Sequence, residues 1–89
     1  MESIQDRART LIDKAGFDRL VREGSIGHSR WQSVRYKDIR MSTEEMEVLQ
    51  RLFPEYALWL ISGKVAPECG QCSPEYDEAN QNLTNHSAG

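Results

Sequence analysis

The four-residue break Gly24-Ser25-Ile26-Gly27 limits what the middle of this chain can form. Leu20 and Val21 precede it, and Trp31 and Val34 follow it three residues apart. Those spacings suit two short helices joined at a bend, each with an apolar edge turned inward. The second carries a polar and basic face made of His28, Ser29, Arg30, Gln32, Ser33 and Arg35, with Lys37 and Arg40 after it. The question is whether this bend reads DNA or is only a basic corner of a small helical protein.

Helical periodicity extends to both sides of the bend. Ile4, Ala8, Leu11, Ile12 and Ala15 lie along one side of a first helix, with Ser3 as its cap, Asp6 in its first turn and Gly16 as its stop. A second helix is expected over Phe17–Glu23, with Phe17, Leu20 and Val21 inward, and a third over His28–Tyr36, capped by Ser25 or Gly27. Ser42 and Glu45 form a capping box for a fourth, with Met41 and Met46 as its hydrophobic staple and Met46, Leu49, Leu52 and Phe53 as its core stripe. Pro54 suits the first turn of a fifth helix, which is apolar nearly all round (Tyr56, Leu58, Trp59, Leu60, Ile61) and closed by Gly63.

The fold class expected is therefore all-α: a compact five-helix domain over residues 1–65, followed by a polar tail over 66–89, partly disordered. The tail is rich in polar residues without helical period, and docking is expected to reach about Tyr76. Eighty-nine residues suffice for one small domain whose core gives marginal stability. No run approaches the ~18 apolar residues of a membrane span, and the charged N-terminus lacks an apolar signal region. Both point to a cytoplasmic protein. The sequons at Asn82 and Asn85 then carry no meaning.

Net charge is −3, yet its distribution is uneven. Residues 1–40 hold nine Lys/Arg against six Asp/Glu, and residues 41–89 hold two against eight. A basic segment on an acidic chain is a plausible electrostatic footprint for nucleic acid, although chance segregation explains it equally well.

The bend, the helix count and the stretch "RMSTEEMEVLQRLFPEYALWLISGK" resemble the lambda-repressor-like helix-turn-helix domains of phage repressors and Cro-type regulators. The likeness covers Arg7 to Gly63, with Leu20, Val21, Ile26, Trp31 and Val34 at the apolar offsets of the bihelical motif and a "WL-x-x-G" ending at Trp59–Gly63. "PECGQCSP" is similar to the extension of short prophage-type regulators. The sequence departs from the pattern in having Val21 for Ala, Ser25 for Gly, and Phe17 or Gly16 where Gln often contacts phosphate. Val21 is then expected to spread the two helices slightly, and Ser25 to adopt a turn conformation that Gly takes more cheaply.

The resemblance implies a transcriptional regulator, a repressor of phage or prophage type, that binds a two-fold DNA operator as a homodimer. The third helix would lie in the major groove. His28, Ser29, Arg30, Gln32, Ser33 and Arg35 are its candidate contacts; Arg suits guanine and Gln suits adenine. Lys37 and Arg40, with Arg19 and Arg22 of the second helix, suit phosphates. Tyr56, Trp59 and Leu60 are placed near the dimer axis, because the fifth helix has more apolar surface than one small core can cover. Departures from the motif leave a second reading: a protein-interaction module of the same fold that has lost operator binding. Interruption of the basic face by Glu23 and Asp38 would favour that reading.

The bland readings stand beside these. Trp31 suits a core position better than a stacking platform. His28 suits a base contact, a pH switch or a plain surface residue. One "CGQC" pair lacks the four ligands of a structural zinc site, and no cofactor is expected. Glu44, Glu45 and Glu47 crowd a helix start, where the dipole favours them. Without a nucleophile set or phosphate-binding glycine loop, no catalysis is expected.

Overall fold

The computed structural model describes residues 2–37 and 39–79; Asp38, Asn82 and Asn85 lie outside them. The described chain is all-helical: α1 (Ile4–Ala15), α2 (Phe17–Glu23), α3 (His28–Tyr36), α4 (Thr43–Leu52) and α5 (Ala57–Ser62). A 3₁₀ turn at Pro54–Tyr56 leads into α5, and another occupies Pro67–Cys69.

The cap signals work locally as the chemistry requires. Ser3 Oγ accepts from the Asp6 amide at 3.1 Å while Asp6 accepts from the Ser3 amide at 3.1 Å, closing a reciprocal box at α1. At α4, Glu45 accepts from the Ser42 amide at 3.3 Å and from the Ser42 hydroxyl. Gly27, rather than Ser25, caps α3. Gly16 has φ +84 and ψ 150, so the chain leaves α1 extended rather than curling into a left-handed turn, and α2 begins at the next residue.

The core is built from Ala8, Leu11 and Ile12 of α1, Leu20 of α2, Ile26 of the bend, Trp31 and Val34 of α3, Val48 and Leu49 of α4, Phe53, Tyr56, and Leu60 of α5. α1 packs against α2, α3, α4 and α5, so it is the central element. Met41, Met46, Leu52, Phe17 and Val21 are partly buried against this core. Ile4, expected to face inward, is exposed, at the wall of an open groove that it lines with Met41 and Met46.

Ser25 carries no strain: no residue other than glycine has positive φ among the described residues. The tight spot of the bend is Gly24, where a Cβ would lie 2.8 Å from Val48 Cγ2. Gly24 has φ −140, open to any residue, so the need for glycine is steric. Gly24→Ala should cost about 1–3 kcal/mol by wedging α4 from the bend, measurable as a lower urea midpoint. An unchanged midpoint would mean that Val48 yields freely.

The segment after Lys64 is more ordered than its composition suggests. Ala66 and Gln71 pair as an isolated bridge. The Gln71 side chain accepts from the Leu58 amide at 2.9 Å and donates to the Pro54 carbonyl at 3.0 Å; the Cys72 amide donates to the Glu55 carbonyl at 2.8 Å. Residues 74–79 are helical, with Ser73 Oγ accepting from the Tyr76 amide at 3.1 Å. This strap crosses the 3₁₀ turn and α5 and reaches Asp77, whose carboxylate accepts from the Tyr56 hydroxyl at 2.5 Å. The segment thus docks in part through a short helix, where its polar composition suggested none.

Candidate nucleic-acid interface

α3 is anchored from beneath by Trp31, fully buried, and Val34. Helical geometry then lifts the opposite side into solvent. His28, Ser29 and Gln32 are exposed, Ser33 is half-buried, and Tyr36 stands out with 69% of its surface accessible. His28, Gln32 and Tyr36 follow at four-residue spacing and form one continuous row.

Two arginines expected on that face are tied to the protein itself. Arg30 donates from Nε to Glu45 at 2.9 Å and from Nη2 to the Arg40 carbonyl at 3.1 Å. Its partner Glu45 is buried, with 2% of its surface accessible. Arg35 clasps Asp13 of α1 through two bonds of 2.6 and 2.8 Å. The reason is helical phase: residues 30 and 35 point to the flanks of α3, where α4 and α1 supply carboxylates. Both arginines brace the helix. They leave His28, Ser29, Gln32 and Tyr36 as its forward surface.

The basic residues around the helix divide into two places. Arg19, Arg22 and His28 line one depression with Phe17 and Asp18, where α2 meets the start of α3. Arg19 is positioned there by stacking over the Phe53 ring, 5.4 Å from its centroid. Arg40 lines a different groove with Ile4, Gln5, Met41 and Met46. Gln5 holds the backbone of this loop, donating to the Ile39 carbonyl and accepting from the Met41 amide at 3.4 Å. Lys37, exposed, directly follows α3.

Burial raises the Glu45 carboxyl, but bonds from Ser42 and Arg30 outweigh it and hold the group below the usual carboxylate range. A depressed folded value stabilises the native state above the unfolded value of about 4.3. That contribution is lost as pH falls through the folded value. Glu45→Gln should therefore flatten the acid limb of a urea-midpoint profile, relative to wild type, as pH falls below the unfolded value of about 4.3. Parallel profiles would show that the pair contributes no pH-dependent stability.

The residues placed near a dimer axis separate similarly. Tyr56 and Leu60 are buried in the subunit's own core, and Trp59 is half-buried with its ring edge toward Tyr56. The apolar groups that α5 leaves open are Leu58 and Ile61, with Val65 just beyond. Burial first and Asp77 second push the Tyr56 phenol upward, and the same causes push the Cys72 thiol up to about 11. Cys72 is therefore a poor thiolate at neutral pH. Both cysteines are free, and no cluster of three metal-ligating side chains exists among the described residues.

Sequence reasoning missed Tyr36 as a surface feature and Arg7 as a buried one. Arg7 donates to the carbonyls of Leu60 at 3.0 Å, Ile61 at 3.2 Å and Glu2 at 3.3 Å. Four-residue spacing from His28 and Gln32 could have placed Tyr36 on the outer face, whereas Arg7 depends on carbonyls brought in from α5.

These features define a class: a small all-helical domain that displays one braced, polar helix beside basic groups. No protein-family model matches the chain, and no curated protein sequence matches it. Among solved structures it is similar to Pf6r from the filamentous phage Pf6 of Pseudomonas aeruginosa PA01. The two are 77% identical, with a TM-score of 0.90, over 93% of this chain and 99% of that one. The chain belongs to the Pf6r family. Among the described residues no helix is long and apolar enough to cross a membrane.

Proposed function

We propose that this protein is a phage-type, sequence-specific DNA-binding transcriptional regulator, acting as a repressor. The observation that carries the reading is α3: anchored by Trp31 and Val34, braced on both flanks, and presenting His28, Ser29 and Gln32 outward beside Arg19 and Arg22. In a helix-turn-helix the N-terminal part of such a helix enters the major groove. Gln32 then has the amide needed for adenine, and the arginines of α2 suit phosphates. Membership of a family with a filamentous-phage relative agrees with a prophage regulator. The mechanism is occupancy of a site, with no catalytic step.

The test is fluorescence anisotropy of the protein on duplexes from around its own gene, across a salt series. Specific binding that weakens linearly in log salt supports the reading. Equal, weak binding to every duplex would overturn it.

The same reading includes a homodimer, with half-sites about 34–36 Å apart. The open apolar edge of α5, Leu58 and Ile61, supports that assembly better than Tyr56 or Leu60. Sedimentation should give twice the chain mass, and Ile61→Glu should split the dimer without unfolding it. A strict monomer at high concentration would shift weight to the second reading, a protein-interaction module. That alternative draws its support from Arg30 and Arg35, which are held by the protein's own carboxylates.

A further inference from the structure

Tyr36 is the most exposed large apolar side chain among the described residues, and it is held in place. The Phe17 ring meets it edge-on at a centroid distance of 6.1 Å. The Arg35 guanidinium lies over its ring at 5.1 Å from the centroid, and Arg35 is itself fixed by the two bonds to Asp13. Phe17 in turn leans on His28, 5.1 Å away. An exposed aromatic ring braced from behind loses little freedom when it meets a partner, and its hydroxyl remains in solvent as a donor. It shares its helix row with His28 and Gln32 but sits at the last residue of α3. In a groove-bound helix the leading end reaches base edges, and the trailing end comes to the sugar-phosphate wall.

We infer that Tyr36 is a neutral clamp on the DNA backbone, its hydroxyl donating to a phosphate oxygen and its ring lying against the adjoining deoxyribose, with Asp13 and Arg35 as positioning residues. The inference rests on the DNA-binding reading and adds to it a contact of distinct thermodynamic kind. A neutral donor releases no condensed counterion, whereas a Lys or Arg on a phosphate does. Loss of Tyr36 should weaken binding without changing its salt dependence.

The experiment measures Kd by anisotropy at several salt concentrations for wild type, Tyr36→Phe, Lys37→Ala, Asp13→Asn and the Tyr36→Phe/Asp13→Asn double variant. Each is tested on a duplex from around the gene and on an unrelated duplex. Tyr36→Phe should weaken both complexes by roughly ten- to a hundredfold, the worth of one hydrogen bond to a charged acceptor, with the salt slope unchanged. Lys37→Ala should instead lower the slope magnitude by about 0.9. Asp13→Asn should weaken binding too, and by less in the Tyr36→Phe background than in wild type, because the hydroxyl contact is already gone and only the ring contact is left to position. Circular dichroism melts establish that each variant is folded; Tyr36 is exposed enough for its substitution to leave the core intact.

Tyr36→Phe binding like wild type would overturn the clamp. A defect confined to the gene-proximal duplex would overturn it in favour of a base contact. Full additivity of Asp13→Asn would overturn the positioning role. Absence of DNA binding by the wild type would defeat the functional reading itself, a result distinct from all three.

Discussion

Trp31→Ala is expected to cost roughly 3–5 kcal/mol, enough to unfold a domain this small. The indole is fully buried and lies in the same cluster as Leu20, Ile26, Val34 and Leu49, so truncation opens a cavity where α2, α3 and α4 meet. The indole Nε1 makes no hydrogen bond among the described residues. Trp31→Phe should therefore be milder than its loss of volume suggests, since it also removes a buried polar group without a partner. Urea unfolding of the three proteins checks both expectations. A cooperative Trp31→Ala variant with wild-type stability would place the indole outside the core.

Arg7→Met should be the next most damaging substitution, at about 2–4 kcal/mol. Methionine preserves most of the buried stem but removes the donors to Leu60 and Ile61, the closing carbonyls of α5. Leu60 is buried, and its carbonyl would lose the charged donor that Arg7 supplies. The same guanidinium lies under Gly63, where a Cβ would come within 3.2 Å of Nη1 and φ is +77. Gly63→Ala is thus strained twice, and its cost should shrink in the Arg7→Met background. A double-mutant cycle in chemical denaturation gives the coupling; simple additivity would dissociate the two sites.

What the sequence discloses about this protein is local. Gly16, the Gly24–Gly27 break, the Ser42/Glu45 box and Gly63 mark the helices because each acts within a few residues of itself. Trp31 and Val34 disclose the buried edge of α3 by spacing alone. The site is less legible. Arg30 and Arg35 look like free groove contacts, and only the approach of Glu45 and Asp13, 15 and 22 residues away, turns them into braces. Tyr56 and Leu60 look like surplus apolar surface because what meets them comes from far along the chain: Asp77 of the strap for Tyr56, and α1, which packs on α5, for Leu60. Ser73 and Pro74 did carry a local helix-start signal, a cap hydroxyl followed by proline at the first helical position.

That strap bears on how the chain matures. Arg7 of the first helix waits for carbonyls 53 and 54 residues downstream, and Tyr56 waits for Asp77. During synthesis α1 is complete before any of these partners exists. The carbonyls that Arg7 binds come with α5, and the carboxylate that Tyr56 binds comes later still, so the last contacts of the fold form only once residue 77 has been made.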